Sequence, residues 1–249
     1  MAAQDSREQA AIVTGVSRGL GAALAKDLLE RGFIVLGVGR TPNGGLDGDR
    51  YRFVQIDLAD SQGIDSVVAP AFADLALVAP SSVCLLNNAA TVDAVGPLGR
   101  LRASEIASAL ATNLTAAVAL ANLFCQVFAD SELPRRVINI SSGAADIALP
   151  GEAVYCVAKA GIEMLTWTLA AEQQAPTFRA ITLRPGVMDT DMQAFARSQS
   201  RDVLPVVDLF KGFQSEGRLL PPEAVAEKVV TRLVIGEVDH ARTYSYQEI

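Results

Sequence analysis

The stretch AAIVTGVSRGLGAALA, residues 10–25, decides the fold of this chain. An apolar run of strand length is followed directly by Gly15, Gly19 and Gly21, and then by a segment with helical periodicity. Glycine lets the backbone turn tightly and approach a ligand closely, and the first amides of a helix favour an anion. A strand, a glycine-rich turn and a helix in this order predict a pyrophosphate-binding βα unit.

The rest of the chain continues the alternation of apolar runs of strand length with longer helical segments. The predicted strands cover residues 10–14, 33–38, 52–56, 82–87, 135–141 and 178–183, with a short strand near 242–246. The predicted helices cover residues 19–31, 103–129, 153–174 and about 222–236. This alternation is typical of a parallel sheet covered on both faces, so the predicted fold class is α/β, a single doubly wound sheet of the Rossmann type.

We expect residues 1–249 to form one domain. The 249 residues, 50% of them hydrophobic, suffice for one sizeable core but not for two. The segment 189–221 departs from the regular alternation, with scattered charges and turn residues. Because a segment of that length inside a regular domain is more often a pocket wall than a spacer, it is the predicted substrate-binding lid.

The charge balance and the rare residues exclude several classes of function. Lys and Arg number 21 against 28 Asp and Glu, a net charge of −7, so no nucleic-acid partner is expected. No stretch reaches the roughly 18 uninterrupted apolar residues of a membrane span, so no membrane contact is expected. The cysteines Cys84, Cys125 and Cys156 lack metal-site spacing, which predicts a cytoplasmic protein without a metal. The one histidine, His240, is expected to be a packing or surface residue, which leaves Tyr, Lys, Asp and Glu as candidate acids and bases.

Tyr155 and Lys159 are four residues apart in AVYCVAKAG and so share one face of a predicted helix. A phenol with its ordinary pKa of about 10 is a poor acid–base group near neutrality until a cation favours its phenolate. We therefore expect Lys159 to lower the pKa of Tyr155. The preceding strand, RVINISSG, ends at Ser141 and Ser142, and strand alternation makes Ser142 the stronger candidate to face Tyr155.

Taken together, these motifs resemble the short-chain dehydrogenase/reductase family. The resemblance extends over about residues 10–240 and implies hydride transfer between a nicotinamide cofactor and a carbonyl carbon. Ser142 matches the family's serine that polarises the carbonyl, and Tyr155 matches its proton donor. Lys159 matches the lysine that binds the nicotinamide ribose. Asn113, in ATNLT, matches the asparagine that kinks the long helix and holds a proton-relay water.

The resemblance also implies which residues bind the cofactor. They are Gly15, Ser17, Arg18, Gly19, Leu20, Gly21, Arg40, Thr41, Asp57, Leu58, Asn88, Ala89, Ala90, Tyr155, Lys159, Pro185, Gly186, Val187 and Thr190. Among them, Asp57 matches the aspartate that holds the adenine. Ala90 stands where the family usually has glycine, a change that costs little unless the residue has positive φ.

The type of nicotinamide cofactor is argued from charge. NAD-binding proteins usually carry a carboxylate after the second strand, whereas the 2′-phosphate of NADP requires cations there. In this chain the second strand ends at Arg40 with no acid nearby, and Arg18 lies in the glycine loop. Two guanidiniums converging on one phosphate, with Thr41 as a further donor, predict NADPH.

Within the family, YCVAKAGIEML and PGVMDTDMQ are most similar to the sepiapterin reductase and benzil reductase branch of NADPH-dependent carbonyl reductases. This similarity implies a small-molecule carbonyl substrate, one carbonyl of a benzil-like or pterin-like vicinal dicarbonyl. In sepiapterin reductases an acid near the C-terminus anchors the pterin, and Glu237 and Asp239 are the candidates for that role. The predicted substrate-binding residues are Ser142, Leu149, Val154, Met188, Met192 and Phe195.

Two other functions remain open. One is an NAD(P)-dependent alcohol or hydroxy-acyl dehydrogenase of the same family. Arg40 stands where NAD-binding proteins usually carry an acid, and this argues against the NAD-dependent form. The other is a catalytically idle NADP(H)-binding sensor, which has no need for a tuned phenol at Tyr155.

Two long segments, 103–129 and 153–174, are too apolar for helices that face solvent on one side. We therefore expect a homodimer, or a homotetramer, formed through these two helices.

Overall fold

The computed structural model describes residues 8–130 and 132–249. Within them, one sheet of seven parallel strands runs through the molecule, in the order β3-β2-β1-β4-β5-β6-β7. The strands are β1 Gln9–Thr14, β2 Ile34–Gly39, β3 Tyr51–Gln55, β4 Ser82–Asn87, β5 Arg135–Ile140, β6 Phe178–Arg184 and β7 Thr243–Ser245. The predicted α/β fold is confirmed, and every predicted strand is present to within about two residues.

Helices lie on both faces of this sheet. They are α1 Gly19–Glu30, α2 61–77, α3 Ala103–Val127, α4 Ala153–Glu172, α5 Asp191–Ser198, α6 Val207–Ser215 and α7 222–235. The four predicted helices correspond to α1, α3, α4 and α7. Short π-helical stretches interrupt α2 at Ile64–Val68 and α3 at Ala111–Thr115, and Val230–Ile235 ends α7.

The core consists of two apolar layers, one on each face of the sheet. Successive residues of β1 supply both layers: Ile12 packs with Leu120 and Phe124 of α3, and Val13 packs with Leu24 of α1. Burial on both faces explains why the strands read as continuous apolar runs instead of alternating patterns. α1, α2, α3 and α7 are held against the sheet by this burial.

The strand order reverses beside β1, because β2 and β4 lie on its two sides. The chain winds outward to β3 and returns to β4, which opens a crevice at the carboxyl ends of β1 and β4. Crevices at such a switch point bind ligands in open α/β sheets. The glycine loop and the predicted catalytic residues follow the carboxyl ends of their strands, so all of them lie along this edge.

The predicted lid, 189–221, contains two short helices, α5 and α6, that the sequence pattern did not indicate. Ala196, Leu204 and Val207 form a small apolar cluster of its own, and partly buried Val95 packs against it. The segment is therefore a folded wall beside the crevice.

The packing of the long apolar helix α3 and of His240 answers two questions that the sequence raised. Among the described residues, α3 is the one helix long and apolar enough to cross a membrane by length and composition, yet Leu120 and Phe124 on it are fully buried against the sheet. His240 is a packing residue, as expected: Nδ1 accepts a hydrogen bond from the Ala180 amide (3.2 Å), and Nε2 lies 3.0 Å from the Ala170 carbonyl oxygen.

Candidate active site

The glycine loop after β1 has a geometry that side chains would not permit. Gly15 and Gly19 have φ values of +75° and +57°. A Cβ on Gly21 would lie 2.1 Å from the Gly15 carbonyl oxygen and 2.5 Å from Nδ2 of Asn88. Asn88 ties the loop to β4, because its Nδ2 donates to the Thr14 carbonyl oxygen at 2.9 Å. The predicted cofactor-binding loop is thus in direct contact with residues 88–90, which were also predicted to bind the cofactor.

A cavity of about 450 Å³ adjoins this loop. Arg18 and Gly19 line it on one side, and residues 189–191, Leu219 and residues 221–223 line it on the other. The Thr190 hydroxyl also caps α5, because it accepts from the Gln193 amide at 3.5 Å. The glycine loop after β1 and the segment after β6 were both predicted to bind the cofactor, and in the structure they line the same cavity.

Arg18 and Arg40, the two predicted ligands of the 2′-phosphate, have different surroundings in the structure. Arg18 forms an ion pair with Asp191 at 2.9 Å, because Asp191 is the acid that begins α5 beside the loop. Arg40 lies exposed after β2, and no ion pair involving it is found among residues 8–130 and 132–249. Both partners in the Arg18 pair are more than two-thirds exposed, so it stabilises by at most about 1 kcal/mol and breaks easily.

The other cofactor candidates occupy the same edge of the sheet. Asp57 is exposed, and one of its carboxylate oxygens accepts from the Ala59 amide at 3.0 Å. Leu58 beside it is buried. Among the described residues, only Ala79 and Ala241 combine a side chain with positive φ, so the alanine at position 90 is unstrained there.

Ser142, Tyr155 and Lys159 meet where β5 ends and α4 begins. The Lys159 ammonium donates to the Ile140 carbonyl oxygen at 2.8 Å and lies 5.4 Å from the centre of the Tyr155 ring. The Ser142 hydroxyl accepts from the Ala144 amide at 3.2 Å and lies close enough to the phenol to influence its pKa. The three predicted catalytic side chains are therefore in one place.

The expectation that Lys159 lowers the pKa of Tyr155 is wrong for this structure. Burial raises the pKa of Tyr155, the negative charge of Glu152 raises it further, and the hydrogen bond with Ser142 opposes both only in part. Burial also lowers the pKa of Lys159 to about 8, which weakens it as a cation. The phenol therefore keeps its proton near neutral pH, as a proton donor must.

Asn113 lies in the π-helical stretch of α3, where the family resemblance implies a kink. Its buried amide is bonded twice to one residue: Oδ1 accepts from the Thr91 amide (2.7 Å) and Nδ2 donates to the Thr91 carbonyl oxygen (2.8 Å). These two bonds hold the loop after β4 against α3. They also occupy the amide of the side chain that was predicted to hold a proton-relay water.

Ser141 points away from Tyr155 into a buried polar network. Its hydroxyl donates to Oε1 of Glu163 at 2.9 Å. Arg184 binds the same carboxylate through two hydrogen bonds of 2.8 and 2.9 Å and reaches Asp146 at 2.7 Å. The network links β6 and α4 to Ser141, the residue next to Ser142, and so it holds the end of β5 in place.

Arg184→Ala should lower the free energy of unfolding by about 3 kcal/mol, because it leaves the buried Glu163 carboxylate unpaired. Urea denaturation measures the loss. The matched control is Arg242→Ala, which removes an exposed ion-paired arginine and should leave the free energy of unfolding nearly unchanged. Equal losses in the two variants would show that the buried network does not stabilise the fold.

Glu152 is a residue of this site that the sequence reasoning missed. It precedes α4 in the N-cap position but makes no capping hydrogen bond, and it is 5% exposed. Burial raises the pKa of Glu152 to about 7. With Asn113, Val154 and Tyr155 it lines a cavity of about 10 Å³. Its spacing of three residues before Tyr155, on the same helical face, was the signal available in the sequence.

The predicted substrate-binding residues are dispersed. Val154 lines the cavity beside Tyr155. Leu149, Met188 and Met192 are half-buried, Met188 against the core below α7, and Phe195 is 39% exposed on α5. The C-terminal acids Glu237 and Asp239 are exposed, and Asp239 is ion-paired with Arg242, so neither lines this cavity.

The raised pKa of Glu152 predicts a pH dependence of stability. Because the folded-state pKa, about 7, exceeds the ordinary value of 4.5, the folded protein binds the extra proton and loses stability as pH rises between these values. Glu152→Gln carries no such charge. It should therefore be more stable than wild type by about 3 kcal/mol near pH 8, and about equal to it near pH 4. Urea denaturation at both pH values tests this, and a difference that does not change with pH would contradict it.

The protein is an oxidoreductase of the dinucleotide-binding class, with its glycine loop at the switch point of the sheet and a serine, a tyrosine and a lysine on the neighbouring strand end and helix. It belongs to the short-chain dehydrogenases, since the model of the short chain dehydrogenase family matches residues 9–201.

Individual relatives agree with this family. The benzil reductase ((S)-benzoin forming) of Bacillus subtilis (strain 168) is 33% identical over 239 residues, 95% of this chain and 98% of the relative. The sepiapterin reductase of Meriones unguiculatus is 33% identical over 241 residues, covering 89% and 90%. The predicted resemblance to this branch is confirmed. The solved 3-oxoacyl-[acyl-carrier protein] reductase of Brucella melitensis in complex with NAD shares the fold, with a TM-score of 0.78, 22% identity and coverage of 98% and 96%.

Proposed function

We propose that the protein is an NADPH-dependent carbonyl reductase that reduces one carbonyl of a vicinal dicarbonyl, with a benzil-like substrate first and a pterin-like one second. The observation that carries the proposal is the placement of Ser142, Tyr155 and Lys159 together where β5 ends and α4 begins. The similarity to benzil and sepiapterin reductases supports the dicarbonyl class.

The roles of the side chains follow from their placement. When bound, a reduced nicotinamide supplies the hydride that the carbonyl carbon accepts. Ser142 donates a hydrogen bond to the carbonyl oxygen, and Tyr155 delivers the proton that converts the developing alkoxide into an alcohol. Lys159, whose ammonium is held by the Ile140 carbonyl oxygen, would bind the ribose of the cofactor.

The residues present fit a dinucleotide with a 2′-phosphate. Gly19 of the glycine loop lines a cavity of about 450 Å³, large enough for part of such a cofactor. Arg40 follows β2 where an acid would be needed for NAD, and its guanidinium is not engaged in an ion pair within the described chain. Arg18 becomes a second phosphate donor once it leaves Asp191.

The experiment that tests this function follows NADPH oxidation with benzil, a second vicinal diketone, sepiapterin and a simple monoketone. We expect a higher kcat/KM for the diketones than for the monoketone, which is still reduced but lacks the second carbonyl. Preference for an alcohol and NAD would favour a dehydrogenase of the same family. Cofactor binding without turnover of any substrate would favour an idle sensor, and either result would overturn the proposal.

We also propose a cytoplasmic homodimer, with a homotetramer as the alternative. The three cysteines are free thiols, and α3 and α4 expose the apolar side chains of Val118, Val157, Met164 and Trp167. Several exposed apolar side chains on two adjacent helices support an interface there.

Trp167→Asp should convert the assembly to monomer, because it places a charge in the apolar face of α4. Sedimentation velocity measures the change. Leu77→Asp, an 84% exposed apolar residue at the end of α2, is the matched control and should leave the assembly intact. Dissociation by both variants, or by neither, would contradict an interface through α3 and α4.

A further inference from the structure

Glu152 has no part in the reaction proposed above, yet its carboxyl is buried beside the proton donor. Among the described residues, no group hydrogen-bonds or ion-pairs with this carboxyl, and only the backbone of Glu152 is engaged. Burying a carboxyl without a partner is costly, and proteins keep such groups mainly where they serve a function. Glu152 and Tyr155 line the same small cavity.

The cavity that Glu152 shares with Tyr155 is the size of one small polar group. Its volume of about 10 Å³ is near the minimum for a single water molecule. The other polar residues of the cavity are already bonded: the Asn113 amide to the backbone of Thr91, and the Thr91 hydroxyl to the Asp93 amide (3.3 Å). Glu152 is thus the acceptor in this cavity that the protein itself leaves free.

The position of the carboxyl is fixed by the loop before α4. The Glu152 amide donates to the Leu149 carbonyl oxygen (2.9 Å), and the Gly151 carbonyl oxygen accepts from the Gly96 amide (2.7 Å). Gly151 has φ +92° and lies against the lid, where a Cβ would come 2.9 Å from the Val203 carbonyl oxygen. The remaining walls are apolar: Val92, Ala94, Val95 and Ala109. A ligand group that enters finds one acceptor on an apolar surface, the arrangement that gives specificity in small-molecule sites.

We propose that Glu152 is a specificity-determining residue that accepts a hydrogen bond from a donor group of the substrate, close to the carbonyl that Tyr155 protonates. The inference rests on the proposed function and narrows its substrate class to ketones that carry a hydrogen-bond donor, either a protonated amine or a hydroxyl. Benzil has no such donor, so it would be a surrogate for the substrate that this pocket recognises.

Three six-membered ring ketones of similar size separate the possible donors: 4-methylcyclohexanone has none, 4-hydroxycyclohexanone has a hydroxyl, and N-methyl-4-piperidone has a protonated amine. For wild type we expect kcat/KM to be about ten- to hundredfold higher for the ketone with the preferred donor than for the methyl compound. Glu152→Gln should remove a preference for the amine but keep one for the hydroxyl, because the amide oxygen still accepts. Glu152→Leu should remove both. Asp93 is an exposed acid between the lining residues Val92 and Ala94 but does not line the cavity itself, so Asp93→Asn is the matched control and should leave the ratios unchanged.

The outcomes are distinct. Equal kcat/KM values for the three ketones in wild type, or ratios that Glu152→Leu does not change, overturn the inference. A uniform fall of kcat for all ketones in Glu152→Gln, with a shifted pH profile, also overturns it, because the residue then acts on the proton of Tyr155. If wild type reduces neither benzil nor any ring ketone, the proposed function fails. Calorimetric binding of N-methyl-4-piperidone and 4-hydroxycyclohexanone against 4-methylcyclohexanone, in wild type and Glu152→Leu with NADP present, then tests the recognition alone.

Discussion

Tyr155→Phe should lower kcat for carbonyl reduction by about a thousandfold, within the range of about 10²–10⁴ that general acids contribute. The variant keeps the ring that packs beside Lys159 and loses only the hydroxyl that delivers the proton. Because burial holds that proton on the phenol, wild-type activity should persist across neutral pH and fall only in the alkaline range. Steady-state kinetics with NADPH and benzil measure both effects.

The control for this variant is Tyr51→Phe. The Tyr51 hydroxyl on β3 is buried without a hydrogen-bond partner, so its removal should leave kcat unchanged. NADPH affinity, measured by cofactor fluorescence, should also survive in Tyr155→Phe. A Tyr155→Phe enzyme that keeps most of its kcat would show that another group protonates the product.

Arg40→Asp should lower the preference for NADPH over NADH by at least about a hundredfold. Loss of a charge-assisted hydrogen bond costs about 1.5–3 kcal/mol, and the new carboxylate repels the 2′-phosphate as well. The same carboxylate accepts hydrogen bonds from the ribose hydroxyls of NADH. The ratio of kcat/KM values for the two cofactors measures the change.

Substitutions of two further arginines serve as comparisons for Arg40→Asp. Arg18→Ala should reduce the NADPH preference by a smaller factor, because Arg18 must first leave Asp191. Arg52→Asp, an exposed change on the adjacent strand β3, should leave the ratio unaltered. If Arg40→Asp retains the wild-type ratio, the 2′-phosphate does not bind at the end of β2.

The sheet was predictable because local sequence and tertiary burial agree in it. Each strand is an apolar run, and the glycines after β1 leave one arrangement of strand, turn and helix. The helix α2 was missed because its segment contains Gly63, Pro70 and β-branched Val67 and Val68, which weaken a helical pattern. Burial of Phe72 and its neighbours against the sheet overrides that weakness.

Only the residues of the candidate site that belong to sequence motifs were predictable. The motifs identified Ser142, Tyr155 and Lys159, which the structure places together. The direction of the Tyr155 pKa shift was not predictable, since it depends on how deeply the fold buries the phenol. The ion pairs of Glu163 with Arg184 and of Arg18 with Asp191 join residues far apart in the sequence, so only the folded chain reveals them.

Hydride transfer itself is the central claim, and NADPH dideuterated at C4 of its nicotinamide ring tests it most directly. Enzyme, labelled cofactor and benzil are mixed, and the product is analysed by mass spectrometry and NMR. The account predicts benzoin with one deuterium on the carbinol carbon, formed by wild type and nearly absent with Tyr155→Phe. Unlabelled benzoin, or no benzoin from an enzyme that binds NADPH, would contradict it.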